Sequence, residues 1–324
     1  MANKHIFKSL KYPICNNEFK AWCLTNDVYS YVYKTVLNSP RPFDVTLRDG
    51  IQNVPKDQIH NFDLKKKYAL LNYIGLKYNP SAIELGSLVS KKVLPIMDNS
   101  AELFTLVNKN CDLFTTDKYL LVPSKNKLND ALQIKCSNIS LITSVSNDFT
   151  LKNTKKTLLE VKNEIFETVY EMVSSHRIYI PKIKLYISCI DECPIAGKMN
   201  LDYIIKEIYF YYKVCHLDFL CLSDTCGTLE LSKLKYIVNG LKSLNVDLTK
   251  ISLHLHTNLK NENETLKIIH YALENDITNF DVSFLNSGGC SVTMKDNINA
   301  NLSYELYYKA LTQYIEKVAS TYLE

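Results

Sequence analysis

The sequence predicts an α/β chain folded as a closed (β/α)8 TIM barrel that carries an N-terminal extension. Three observations carry this. Eight short β-branched or aliphatic runs alternate with longer stretches of helical period. The short runs are continuously apolar, and no G-x-G-x-x-G follows any of them in a chain with only 8 glycines. Alternation implies parallel strands, because a crossover helix has to return the chain to the same edge. Continuous apolar strands are strands covered on both faces. Units of roughly 35 residues repeated eight times suit a barrel. The missing glycine fingerprint argues against an open doubly wound sheet.

The strands are expected at Phe43 to Leu47, Ala82 to Leu85, Lys118 to Val122, Asn138 to Thr143, Lys182 to Ser188, Asp218 to Leu222, Lys250 to Leu255 and Asn279 to Phe284. Between them lie stretches such as LDYIIKEIYFYYKV and LELSKLKYIVNGLKSL, with apolar residues three and four apart as an amphipathic helix requires. The last, NLSYELYYKALTQYIEKVAS, carries Tyr304, Tyr307, Tyr308 and Tyr314, whose period favours packing over a dimer contact. Residues 1–42 fall outside the repeat and are expected to form a helical extension, leaving 43–324 as the catalytic barrel.

Composition narrows the function classes. Hydrophobic residues at 46% and charged ones at 22% describe an ordinary globular chain. With 38 Lys and Arg against 34 Asp and Glu, the net charge of +4 includes no basic block, and Lys66–Lys67 and Lys155–Lys156 are placed on helical faces. Nucleic acid is therefore not the expected partner. No apolar run reaches membrane-spanning length. The N-terminus lacks the core of a secretory signal, and its lysines without arginine make only a weak organellar signal. The 10 cysteines then read as reduced thiols of a cytoplasmic protein. Cys189 and Cys193 form a single C-x3-C, a weak zinc pattern without a second pair.

In a barrel the chemistry sits at the C-terminal strand ends, and polar residues concentrate there. They include Arg48-Asp49 after the first strand, Glu84 in the second, Tyr186 and Ser188 in the fifth, Asp224-Thr225 after the sixth, His254 and His256 at the seventh, and Gly288-Gly289-Cys290 after the eighth. Two imidazoles one residue apart on a strand face the same side and form half of a metal site, or else a structural pair. Asp49 would add an anionic oxygen, a mixed donor set suited to Mg2+, Mn2+ or Zn2+. Arg48 beside a ligand can stabilise an oxyanion, or can form a buried ion pair with Glu84 or Asp224. Cys290, preceded by two glycines, can serve as acid or base on a mobile loop.

At these residues FDVTLRDGIQN resembles the first-strand signature of the metal-dependent lyase and Claisen-condensing barrels, which include isopropylmalate synthase, homocitrate synthase and 3-hydroxy-3-methylglutaryl-CoA (HMG-CoA) lyase. Gly50-Ile51-Gln52-Asn53 points to the lyase branch. AIELGSLVSKKVLPIMDN, LLVPSKNKLNDAL, SVSNDFTLKN, LYISCIDECPIAGK, LSDTCG and SFLNSGGC resemble its later loops in order, from about Phe43 to Ala310. The resemblance implies cleavage of HMG-CoA, or a related 3-hydroxyacyl-CoA, to acetyl-CoA and acetoacetate with Mg2+ or Mn2+. It puts Asp49, His254, His256 and Asn301 on metal ligands, with His254 also counted in the reaction. It puts Arg48 on the arginine that steadies the enolate and Cys290 on the cysteine of proton transfer. Glu84 and Asp224 fall on supporting acids, and Gln52, Tyr186 and Thr225 on substrate contacts. A homodimer and an acyl-CoA substrate are the partners it suggests.

The chain departs from the pattern in several places. HLHTNLKN replaces the branch's H-x-H-D-T-Y-G, Asn286-Ser287 replace Gly-Leu in a way expected to stiffen the loop, and Val54 replaces an acid. Ser291 follows Cys290 where the branch has proline. A Claisen-type synthase and a barrel retained as a binding scaffold are the alternative readings.

Overall fold

Eight parallel strands close into a barrel: β1 (Phe43–Asp44), β2 (Ala82–Ser87), β3 (Asp117–Leu121), β4 (Asn138–Ser144), β5 (Ile183–Ser188), β6 (Phe219–Ser223), β7 (Ile251–His254) and β8 (Asn279–Val282). Each pairs with its neighbours in chain order. Phe43 closes the ring by facing Ala82 on one side and Asp281 on the other. A computed structural model of the chain describes residues 39–109, 116–175, 181–257, 260–289 and 299–321. The helix expected within residues 1–42 falls almost wholly outside them.

Contacts divide the chain into two compact units, one of residues 41–304 and one of residues 1–40 and 305–324. Within the second, the Tyr307 hydroxyl donates to the Pro40 carbonyl at 2.6 Å. The rings of Tyr307 and Tyr308 meet edge-on with centroids 5.4 Å apart.

The helices are α1 (Leu64–Tyr78), α2 (Ser100–Lys109), α3 (Leu128–Gln133), α4 (Asn147–Thr154), α5 (Leu158–Ser175), α6 (Leu201–Val214), α7 (Leu231–Ser243), α8 (Glu262–Leu273) and α9 (Tyr304–Thr321). Local chemistry fixes their starts. Asp63, Ser146 and Asn200 each accept an N–H of the first turn of α1, α4 and α6, a contact worth about 1 kcal/mol per cap. The α1 helix ends at Asn79, whose left-handed φ of 44° lets its N–H return to Gly75. Each helix buries one stripe, as α7 does with Leu234, Ile237, Val238 and Leu241. Among the described residues no helix is long and apolar enough to cross a membrane.

Lys66 and Lys67 lie on the helix α1 as expected, whereas Lys155 and Lys156 fall between α4 and α5. Lys66 stays exposed, but Lys67 is fully buried and donates from Nζ to the Ile96 carbonyl and, at 2.6 Å, to Asn99 Oδ1. Burial pulls its ammonium down to about 8. The α1 helix thus tethers from behind the loop that follows β2.

Candidate metal centre and active site

Successive residues of a strand point to opposite faces, so a strand continuing through Leu47 could not aim both Arg48 and Asp49 at the barrel mouth. Instead β1 stops at Asp44, correcting the longer strand expected from sequence. The N–H groups of Arg48 and Gly50 both donate to the Val45 carbonyl, at 3.1 and 3.0 Å, and the second closes a π-type turn over Thr46–Gly50. Every residue of that turn is buried. Gly50 is required there, because a Cβ would lie 2.5 Å from the Ser283 hydroxyl.

The two imidazoles meet Asp49 from the strand next but one around the ring, with β8 between them. His254 Nε2 lies 3.8 Å and His256 Nε2 3.6 Å from Asp49 Oδ2, with the rings nearly perpendicular and centroids 4.8 Å apart. Each ring is held by its other nitrogen. His254 Nδ1 donates to Asp281 Oδ2 at 3.1 Å, and His256 Nδ1 donates to the Asp224 carbonyl at 2.8 Å. In the neutral rings both Nε2 atoms then present lone pairs toward Asp49. Burial lowers the His254 pKa. It works against charged His256 as well, but the contact with Asp49 outweighs it and raises that ring. Burial opposes the charge on Asp49, yet Arg48 and both imidazoles hold its carboxyl well below the usual range.

Arg48 forms buried ion pairs on two sides. Nε donates to Glu84 Oε2 at 2.6 Å, Nη1 to Asp49 Oδ1 at 2.7 Å, and the guanidinium carbon lies 4.7 Å from the Tyr186 ring centroid. The Tyr186 hydroxyl donates to the same Glu84 oxygen at 3.1 Å. Nη2 is buried with no hydrogen-bond partner. The residue is at once a structural ion pair with Glu84 and a guanidinium with one donor to spare.

The loop after β8 completes the mouth. Gly289 N–H donates to Asp49 Oδ2 at 2.8 Å, while Gln52 and Asn53 hold the Gly289 carbonyl at 3.3 and 2.8 Å. Asn301 pairs antiparallel with His256, and its side-chain Nδ2 donates to the Ser287 carbonyl at 3.1 Å. Gly288, at φ 133°, leaves room for two polar groups. A Cβ there would lie 2.0 Å from Asn301 Nδ2 and 2.9 Å from Asp49 Oδ2. Ser287 hydrogen-bonds the Gly50 carbonyl as well, so this departure from the lyase pattern ties the loop to the first-strand turn.

Of the remaining sequence-predicted residues, Gln52, Tyr186 and Thr225 line a cavity of about 270 Å3 with Arg48, Asp49 and both histidines. Asp224 borders the site: its carboxylate accepts the Thr228 and Leu229 N–H groups at 3.0 and 3.2 Å, its main-chain carbonyl holds His256 Nδ1, and its charge favours the protonated His256 ring. Burial raises that carboxyl to about 6. Cys290 lies outside the described residues, as do Asn258 and Leu259 in the altered stretch after His256. Cys193 accepts hydrogen bonds from Ser146 Oγ and the Ile195 and Ala196 amides. With a bond from Cys189 as the main cause, its thiol is drawn down to about 5.

Sequence reasoning missed Asp281 and Lys184. Both sit inside strands, where period-two reading assigned them no role, and a charged residue on an inward face was the available signal.

The donor set suits a divalent ion. Among the described residues Asp49, His254 and His256 are the one group of three His, Cys, Asp or Glu able to share an ion, with ligand atoms within 4.8 Å of one another. His256 Nε2 and Asn301 Oδ1 are buried beside them with no hydrogen-bond partner. Buried polar atoms of that kind call for a ligand, and nitrogen with carboxylate and amide oxygen is a borderline-hard set.

No protein-family model matches the chain. In sequence it is 26% identical over 255 residues to a 3-hydroxy-3-isohexenylglutaryl-CoA/hydroxy-methylglutaryl-CoA lyase of Pseudomonas aeruginosa, covering 77% of this chain and 78% of that one. It is 24% identical over 248 residues to the mitochondrial hydroxymethylglutaryl-CoA lyase of Bos taurus, covering 76% and 71%. Among solved structures, an HMG-CoA lyase from Acinetobacter baumannii in complex with coenzyme A and 3-methylmalate superposes with a TM-score of 0.69 at 22% identity, covering 87% of this chain and 90% of that one. The Brucella melitensis HMG-CoA lyase gives 0.69 at 19%, covering 88% and 98%. The chain is similar to HMG-CoA lyases in both sequence and fold.

Proposed function

We propose, from this likeness and from the site's own geometry, that the protein is a metal-dependent carbon–carbon lyase. It cleaves HMG-CoA, or a close 3-hydroxyacyl-CoA, to acetyl-CoA and acetoacetate. One observation carries the reading. His256 Nε2, 3.6 Å from the Asp49 carboxylate, and Asn301 Oδ1 are both buried without a hydrogen bond. Asp49, His254, His256 and Asn301 would hold Mg2+ or Mn2+. When bound, the ion supplies Lewis-acid polarisation of the substrate's hydroxyl and carboxylate oxygens and a template for them.

The chain's own groups do the rest. Asp49, Gly289 and the imidazoles form one wall, and Gln52, Tyr186 and Thr225 line the cavity in which the acyl portion lies. A base takes the hydroxyl proton, and cleavage begins. The C–C electron pair passes to the thioester, and the resulting enolate oxygen meets the free Nη2 of Arg48. Glu84 holds that guanidinium in place through Nε. Cys290 delivers the proton that turns the enolate into acetyl-CoA. The cytoplasm is the compartment this reading assigns, and a homodimer the assembly.

The test is release of acetyl-CoA from HMG-CoA with Mg2+ or Mn2+, with and without chelator. Release that stops with chelator, and in Arg48→Gln and Asp49→Ala, is the expected result. A folded protein that binds the ion and cleaves no hydroxyacyl-CoA would return the scaffold reading.

A further inference from the structure

The strands behind the mouth carry a buried charge that the reaction does not touch. Lys184, on β5, is 1% exposed and donates from Nζ to Asp281 Oδ1. Its ammonium lies 3.6 Å from the Phe43 ring centroid and 4.8 Å from that of Tyr186. Asp281, also 1% exposed, uses its other oxygen for His254 Nδ1. A line of three charged or polar groups thus crosses the barrel interior from β5 through β8 to β7, and it ends at the ring whose Nε2 faces Asp49.

We propose that Lys184 is a positioning residue for the ion site, fixing the Asp281 carboxylate so that His254 stays in the Nδ1–H tautomer with Nε2 aimed at the ion. The proposal rests on the reading of Asp49, His254 and His256 as an ion site. Among the described residues, apart from His254, the Asp281 carboxylate is held only by this ammonium and by a long contact from the Cys221 thiol to Oδ2 at 3.8 Å, so without Lys184 it could rotate. An ammonium bonded to Oδ1 leaves Oδ2 as the acceptor, and an acceptor at that place selects the protonated nitrogen of the ring. Partners behind a ligating histidine set its orientation and tune affinity by roughly 10- to 100-fold. Burying an ammonium is costly without a paired carboxylate. Asp281 meets that need, and the two aromatic faces add cation–π contacts.

The experiment compares the full-length wild type with Lys184→Met and Lys184→Arg. Mn2+ affinity is measured by calorimetric titration after chelator treatment. The His254 tautomer is read from 15N shifts of labelled histidine, assigned with His254→Gln. The expected result is Mn2+ binding weakened about tenfold or more in Lys184→Met, with His254 leaving the pure Nδ1–H form and Lys184→Arg restoring both. A folded Lys184→Met with wild-type affinity and tautomer overturns the proposal. Should Lys184→Met fail to fold, the wild type decides, because an Nε2–H tautomer for its His254 overturns the proposal as well. Wild-type protein that binds no Mn2+ sinks the ion-site reading, and the tautomer comparison then judges Lys184 separately.

Discussion

His256 and Asn301 face each other across a two-residue antiparallel ladder, so the short extended stretch just after the seventh strand and the segment before the last helix present their side chains to one side. The segment carrying Asn301 is held there by main-chain bonds, with its N–H and that of Leu302 going to Ser287 and Leu255. Removing the side chain should spare the fold. We expect Asn301→Ala to weaken Mn2+ binding by roughly tenfold or more with an unchanged circular dichroism spectrum. Unaltered affinity in calorimetry would remove Asn301 from the ligand set.

Gly288→Ala is expected to be far more damaging than an alanine usually is. The new methyl would collide with the Asn301 amide and the Asp49 carboxylate, at a φ of 133° that L residues rarely adopt. Ion affinity and turnover should both fall by at least an order of magnitude, measured by titration and by acetyl-CoA release. A variant with normal values in both would show that this loop does not press on the ligands.

Arg48→Gln removes two things at once. Loss of a donor to developing negative charge should lower kcat by about 100- to 1000-fold. The buried Glu84 carboxylate, left without its guanidinium, should lower stability by about 3 to 5 kcal/mol. Adding Glu84→Gln should recover much of the stability and none of the rate. Denaturant titration alongside steady-state kinetics separates the two, and parallel recovery would refute the division.

Asp44 gives the barrel a pH dependence of its own. Burial lifts its carboxyl to about 6 against the pull of hydrogen bonds from Thr46 and Tyr304. An unfolded aspartate titrates near about 4. Between these values the folded state holds the extra proton, so this residue's contribution to stability falls as pH rises from about 4 to 6, by on the order of 2 kcal/mol. Urea titrations at both ends of that window should show a shallower loss in Asp44→Asn than in the wild type. Equal slopes would contradict the raised value.

The barrel was legible because its signals are local. Apolar runs and amphipathic periods survive in each βα unit, and the strand ends collect the polar residues. His254 and His256 reach Asp49 as their spacing suggested, and Arg48 pairs with Glu84 as one of its two readings held. The turn at Thr46–Gly50 was not legible, because TLRDG is as compatible with a strand as with a winding in which Arg48 and Gly50 N–H both return to the Val45 carbonyl. How Asp224 meets the site was not legible either, because an acid at a strand end does not reveal that its carbonyl holds His256 while the N–H groups of Thr228 and Leu229 bind its carboxylate. Lys184 and Asp281 required a partner 97 positions away, a relationship that no window along the chain contains.

The winding at Thr46–Gly50 makes length itself a requirement. An ordinary helical turn uses one residue fewer, and each residue advances the chain by about 100°. Deleting any one position between Val45 and Gly50 would swing the guanidinium and carboxylate away from the opening together, whatever residues remained. At Thr46 and Leu47, which supply neither charge to the opening, an exchanged letter should therefore be tolerated more readily than a missing one.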